Sequence, residues 1–267
     1  MDAMKDALAS LLGQRVVAVR RMAGGDLSQV HELTVADGRR VVAKSGGDAR
    51  AEAAMLRAIA AHGVPAPAVL AVDDHWLVME KLAADGGPAT AWDDLAVVLN
   101  RLHAGTEEAY GWPHGHRLGR VDMPNPRSGD WPGFWAEHRL RCHTPHVGAD
   151  LGGRLDRLAG RLGDLLPQRP PSALLHGDLW GGNVLVSGGR VTGLIDPACF
   201  FGDREVDIAM LTLFDHPPAA FFDALDLKVG WRDRLPVYRL WPLLVHLRLF
   251  GTAYAGAVDA DLRRLGV

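Results

Sequence analysis

Between Leu174 and Ala198 the chain sets two carboxylates and an amide at fixed steps. His176-Gly177-Asp178 is followed five residues later by Asn183, and Asp196-Pro197-Ala198 arrives eighteen residues after Asp178. Val184-Leu185-Val186, a Gly188-Gly189 turn and Val191 to Ile195 lie between them and read as a hairpin that brings the chain back. Such a set fits the transfer of a phosphoryl group to a hydroxyl. That reaction asks for one carboxylate to accept or orient the hydroxyl proton, and for oxygen donors that hold Mg²⁺ on the phosphates. Asp178 is the candidate catalytic base, and Asn183 and Asp196 are the candidate metal ligands. Taken singly, Asp178 or Asn183 would be as well explained as a turn residue. The whole string, together with an upstream Lys–Glu set, is not. His176 reads as a packing and hydrogen-bonding residue of the loop, not as a base or ligand.

The upstream set is Lys44, which closes the strand Arg40-Val41-Val42-Ala43-Lys44, and Glu52, about one turn into the next helix. A lysine in that place can hold nucleotide phosphates, and a helix carboxylate can tether it. Gly24-Gly25-Asp26-Leu27-Ser28, in the first hairpin, could cover the phosphates with backbone N–H groups. The run Trp76-Leu77-Val78-Met79-Glu80-Lys81-Leu82 puts the backbone of Glu80 to Leu82 where it could meet adenine. ATP and Mg²⁺ are therefore the expected cofactors. The order and spacing resemble the catalytic loop and metal-binding turn of protein kinases.

These residues need two different supports. Residues 2–12 read as an amphipathic helix with Met4, Leu8, Leu11 and Leu12 on one side. Alternating β-branched residues around Gly24-Gly25 and Asp37-Gly38 predict antiparallel strands at about 15–22, 29–35 and 40–44. Residues 48–62 are helical, with Ala53, Leu56 and Ala60 facing inward and Gly63 and Pro65 ending the helix. Two further short strands join at Asp73-Asp74. The expected nucleotide-binding lobe spans 1–82. After the Gly/Ala/Pro linker at 83–90 the pattern turns helical, with helices at 91–104, 131–141, 148–165, 205–214, 217–226 and 232–256, the last interrupted near Pro236 and Pro242. The fold class is α+β: a two-lobed, protein-kinase-like fold, with a small antiparallel-sheet N-lobe carrying one helix and a larger, mostly helical catalytic and substrate-binding lobe at 83–267.

Composition bounds the rest. Hydrophobic residues make up 48%, charged residues 23%, and the formal net charge is −3 over 267 residues, an ordinary globular balance. No basic run points to nucleic acid. Cys142 and Cys199 form no CxxC pair and read as free thiols in a reducing compartment. No apolar stretch reaches the roughly 18 residues of a membrane span, and the N-terminus has no signal-peptide pattern. A cytoplasmic protein with no membrane or nucleic-acid partner is expected.

His-Gly-Asp-Leu-Trp-Gly-Gly-Asn at 176–183, and Ile195-Asp196-Pro197-Ala198 followed by Phe200-Phe201-Gly202-Asp203-Arg204-Glu205-Val206-Asp207, resemble the fructosamine kinase (ketosamine-3-kinase) family, relatives of the aminoglycoside phosphotransferases and of protein kinases. Gly111-Trp112-Pro113 and Asp130-Trp131-Pro132-Gly133-Phe134 resemble its middle region. Pro124-Asn125-Pro126 stands where the family often carries Gln-Asn, and Asp26-Leu27-Ser28 brings no cysteine to the flap, so redox control there is not expected. The resemblance implies ATP-dependent phosphorylation of the sugar 3-hydroxyl of a ketosamine, free or protein-bound, in deglycation. Asp178 would be the base, Asn183 and Asp196 would bind Mg²⁺, and Lys44 would hold phosphates.

Trp180 and Phe200, on either side of the carboxylates, could wall the substrate pocket; Trp131 and Trp135 could too, though core packing suits them better. Asp203 reads as a helix N-cap, and Arg204 as a partner that could brace the loop. A same-fold kinase for an aminoglycoside or another alcohol is the nearest alternative. An acidic pocket would suit such a polycation, whereas the middle region is rich in Arg and His (His116, Arg117 and Arg120 among them). A pseudokinase acting as a binding protein would be expected to lack one of Lys44, Asp178, Asn183 and Asp196.

Overall fold

The computed structural model describes residues 2–22 and 28–267. Its first lobe is a five-stranded antiparallel sheet in the order β1-β2-β3-β5-β4, built from β1 (Val16–Arg21), β2 (Gln29–Val35), β3 (Arg40–Ser45), β4 (Val69–Val72) and β5 (Trp76–Glu80). The period of two along these strands gives the sheet two apolar faces. Val41, Ala43 and Val78 bury one face with Leu8 of α1 (Asp2–Leu12). Leu77 and Met79 bury the other with Ala49, Ala53 and Leu56 of α2 (Ala49–Ala61). Asp48 caps α2, its side chain accepting from the Ala51 N–H at 2.9 Å. The strands and α2 fall within a residue or two of the sequence expectation. Gly24 and Gly25 of the expected flap lie outside the described residues.

Met55 and Ile59 of α2 leave this lobe and join the core of the second. The segment expected as a linker is tied down. The N–H groups of Asp85 and Gly86 donate to the Val186 carbonyl, the Asp85 carboxylate accepts from Ser187 Oγ and the Gly188 N–H, and Thr192 Oγ1 donates to the Ala83 carbonyl.

The second lobe is mostly helical. It contains α3 (Trp92–Leu102), α4 (Trp131–Trp135), α5 (Ala149–Ala159), α6 (Leu162–Leu165), α7 (Glu205–Phe214), α8 (Ala219–Asp223), α9 (Trp231–Phe250) and α10 (Ala255–Arg264). Three antiparallel pairs sit among them: β6 (His116–Leu118) with β7 (Val121–Met123), β9 (Val184–Ser187) with β10 (Arg190–Leu194), and β8 (Ala173–Leu175) with β11 (Phe200–Gly202).

Several elements differ from expectation. The helix expected at 131–141 is α only to Trp135, then widens into a π turn over Ala136–Leu140 and tightens to 3₁₀ over Arg141–His146. The π turn carries Arg139 inward. Its guanidinium is fully buried, 4.3 Å from the Phe200 ring centre and 4.8 Å from those of Phe134 and Trp241, and it donates to the Pro124 carbonyl and Asn125 Oδ1. The helix expected at 148–165 breaks at Gly160. α9 runs through Pro236 and Pro242, both flanked by buried residues that pack it in place, and ends instead at Gly251, whose φ is +86°.

Candidate active site

β8 delivers His176-Gly177-Asp178 to the cleft, and a 3₁₀ turn over Gly181–Asn183 leads into β9. Gly177 has φ +81°, and a Cβ there would lie 2.0 Å from the Ala198 carbonyl oxygen, so only glycine fits. The loop is fastened from below by Asp207 of α7. Its carboxylate is fully buried and accepts from the backbone N–H groups of His176 and Gly177, each at 2.9 Å, and faces His103 Nε2, also at 2.9 Å. Burial alone would raise the Asp207 pKa, but the His103 contact and the Gly177 N–H outweigh it and hold the carboxyl below its usual range.

A second tie comes from the far end of α7. Asp215 Oδ2 accepts from the Gly181 N–H at 2.7 Å. Beside it the Trp180 ring lies over Gly182, where a Cβ would be 2.2 Å from the indole, and meets Phe214 edge-on at 6.2 Å between ring centres. Sequence reasoning passed over Asp215 and read Asp207 only as an acidic residue near a helix start. An acid ten residues after the Gly202-Asp203-Arg204-Glu205 turn offered no local signal for the first.

The Asp196 turn is clamped on both sides. His176 Nε2 lies 3.0 Å from the Ile195 carbonyl, the Ala198 N–H donates to the His176 carbonyl at 2.8 Å, and the Ile195 N–H donates to the Asn183 carbonyl at 3.0 Å. Burial lowers the His176 pKa, so the neutral ring donates through Nε2, the structural part expected of it. Between these bonds Asp196 takes φ +54°, the one non-glycine residue at positive φ among the described residues. Asp tolerates that region better than most side chains.

The four chemistry-bearing residues converge. Asn183 Nδ2 donates to the Asp178 carbonyl at 2.8 Å and lies 3.2 Å from Asp178 Oδ2. Lys44 Nζ lies 2.7 Å from Glu52 Oε2 and 2.9 Å from Asp196 Oδ1. Burial alone would lower the Lys44 pKa, but Glu52 and Asp196 together raise it, so the ammonium stays charged. Burial raises the Glu52 pKa against the pull of Lys44. Burial first, and the Asp196 charge next, push Asp178 up to about 6, a value suited to a base working near neutral pH.

Other expected residues fall differently. The Glu80 N–H is spent on the Ala68 carbonyl, and Ala68 N–H donates to the Glu80 side chain. Leu82 makes no backbone hydrogen bond among the described residues and packs against Gly193, where a Cβ would stand 2.2 Å from Leu82 Cδ1. Of the expected adenine contacts, Lys81 and Leu82 keep backbone groups to offer. Trp180 is 41% exposed at the cleft, but Phe200 is fully buried against Arg139 and cannot wall a pocket. Trp131 and Trp135 are core residues. Asp203 Oδ1 accepts from the Glu205 N–H, one residue ahead of the capping position, which Arg204 holds. Arg204 reaches the His103 carbonyl and Asp226, not the catalytic loop. Cys142 and Cys199 are free thiols.

Among the described residues no group of three or more His, Cys, Asp and Glu side chains could hold a metal ion. Asn183 and Asp196 nevertheless fit Mg²⁺. Its amide nitrogen engaged by Asp178, Asn183 keeps its oxygen for a ligand role, and Mg²⁺ commonly takes one or two protein oxygens and completes its shell with water and phosphate. No helix is long and apolar enough to cross a membrane.

The fructosamine kinase family model matches residues 1–265. The chain belongs to the fructosamine kinase family. Proteins named as ketoamine kinases share 33% identity with it over 269 residues in Synechocystis, covering 94% of this chain and 90% of the relative, and 37% over 251 residues in Thermus thermophilus, covering 88% and 89%. A crystal structure named as a fructosamine-3-kinase from Thermobifida fusca superposes with a TM-score of 0.89 at 30% identity, covering 99% and 98% of the two chains. An aminoglycoside phosphotransferase in complex with AMP-PNP and hygromycin B superposes with a TM-score of 0.73 at 18% identity, a likeness of fold. This kinase is thus an α+β, protein-kinase-like phosphotransferase that uses ATP and an alcohol acceptor.

Proposed function

We propose that this kinase transfers the γ-phosphoryl group of Mg·ATP to the 3-hydroxyl of a small ketosamine, of the ribulosamine or fructosamine type. The observation that supports this most is the convergence of Asp178–Asn183 with Lys44–Asp196 in a chain of this family. Lys44, steadied by Glu52, binds the phosphates. Asn183 and Asp196 hold Mg²⁺, which when bound neutralises charge on the phosphates. Asp178 accepts the hydroxyl proton, and the Trp180 face supports the acceptor. Backbone groups of Leu82 meet adenine. With the C3 oxygen phosphorylated, loss of a C1 proton to give the enaminol lets inorganic phosphate leave from C3, and water then hydrolyses the resulting C1 imine to release the amine, which is deglycation.

The test is ATP consumption with Mg²⁺ against ribulosamine and fructosamine forms of free lysine, with kanamycin and plain sugars as other acceptors and Asp178→Asn as control. Turnover on the ketosamines that the substitution abolishes, with ³¹P NMR placing the phosphate on C3, is expected. Turnover confined to kanamycin or plain sugars would overturn the acceptor assignment, and phosphate on another carbon would overturn the position.

A further inference from the structure

The Arg/His richness of the middle region divides in the structure. Arg127 pairs with Glu107, and Arg141 with Glu137 and Asp156. His116, Arg117 and His146 gather, with Arg248, around a cavity of about 360 Å³ between the β6–β7 hairpin, the 3₁₀ segment after Leu140 and the end of α9. That volume lies within the range of small-molecule sites. His116, Arg117, His146 and Arg248 line it, with Cys142 and a single acid, Asp122.

The balance of charge there is one-sided. Asp122 is spent on Arg117 at 3.1 Å. Arg248 has no carboxylate within ion-pair distance among the described residues, and its nearest side-chain partner is His143 Nδ1 at 3.4 Å. Burial, with Arg248 and Arg139 adding to it, brings His143 down to about 3, so this ring is neutral. Burial pushes the Cys142 thiol up to about 11, so it brings no anion.

Two more arginines build the walls. Arg120 donates to the carbonyls of Arg248 and Leu249, fastening the hairpin to the end of α9. Arg139, fully buried with no ion-pair partner among the described residues, donates to the Pro124 carbonyl at 2.8 Å and so holds the opposite wall. Arg120 and Arg139 are thus satisfied by carbonyls and rings, and of the two guanidinium groups that line the cavity Arg248 is the one without a carboxylate among the described residues.

We propose that this cavity binds a small molecule through a phosphate or carboxylate group, gripped by Arg248 in the forked geometry that guanidinium offers to such anions, with Arg117, whose exposed pair with Asp122 is weak, turning to it as the second cation. The site is separate from the catalytic carboxylates, and the proposal does not depend on which acceptor the kinase uses. Burial lowers the His116 pKa, with Asp48 and Lys44 of the sheet lobe acting on the ring in opposite directions.

The experiment is calorimetric titration of the full chain with orthophosphate and, in a second arm, malonate, with the nucleotide cleft already filled by Mg·AMP-PNP. One saturable site at millimolar or lower concentration is expected for at least one anion, weakened about tenfold in Arg248→Gln and in Arg117→Gln. Preference for orthophosphate assigns a phosphate ligand, and preference for malonate a carboxylate. Arg117 is 66% exposed in its side chain, so its variant keeps the test valid if Arg248→Gln fails to fold. Absence of saturable binding of both anions, binding that neither substitution weakens, or binding seen only when AMP-PNP is omitted would overturn the proposal.

Discussion

Lys44 and Asp196 stand 152 residues apart in the chain and 2.9 Å apart in space, the closest tie between the sheet lobe and the helical lobe at the site. Glu52 holds the same ammonium from the other side. Replacing Lys44 leaves two acids facing each other without a cation. Lys44→Met is expected to lower kcat/KM for ATP by about 100-fold, with weaker Mg·AMP-PNP binding by calorimetry. Glu52→Gln should lose less, because Asp196 still holds the ammonium.

Asp178 supplies a pH signature. Its carboxyl is raised to about 6, and the carboxylate is the form that accepts a proton. As pH falls through 6 the group protonates and activity falls with it. The profile of kcat/KM is expected to climb about tenfold per unit below pH 6 and level above it. A raised folded pKa also means that ionised Asp178 costs stability as pH rises from the unfolded value towards 6. Asp178→Asn, which removes the base, should be inactive and, at pH 8, up to about 3 kcal/mol more stable in denaturant unfolding.

Asp215 is expected to act through its neighbours. By holding the Gly181 N–H it fixes the stretch on which Trp180 stands. Asp215→Ala should raise the acceptor KM about fivefold, the worth of roughly one hydrogen bond, leaving the ATP KM unchanged. Asp215→Asn keeps an acceptor oxygen and should restore most of the loss. Equal changes in both KM values would contradict this role.

Two glycines separate conformational strain from collision. Gly13 and Gly177 both have positive φ, but a Cβ at Gly13 meets open space, whereas one at Gly177 strikes the Ala198 carbonyl. Gly13→Ala should cost about 1 kcal/mol and Gly177→Ala about 3 kcal/mol or more, with loss of turnover only in the second. Chemical denaturation of both variants makes the comparison.

The site was readable because its parts are local strings, with Asp178 to Asn183 and Lys44 to Glu52 close in sequence and each type demanded by the chemistry. The sheet was readable because alternation and the Asp37-Gly38 turn are local too. What was missed depends on distant contacts. Asp207 and Asp215 act 30 to 34 residues from the backbone groups they hold. The strands β6 and β7 have three residues each, too few to show a period. Phe200 reads as a cleft residue by position, yet the buried Arg139 claims its face. α9 ignores two prolines because packing outweighs the local cost, and no window of sequence displays that packing.

The bonds from Asp85, Ala83 and Gly86 to the β9–β10 hairpin have a consequence for motion. With residues 83–86 riding as part of the helical lobe, Lys81 and Leu82 are what remains of the connecting segment, while Met55 and Ile59 of α2 and the Leu194–Pro65 bond hold the lobes together a second time. If the backbone of Leu82 meets adenine as proposed, the short connecting stretch and the base contact are one and the same, and any opening of the cleft would loosen the base at the same moment.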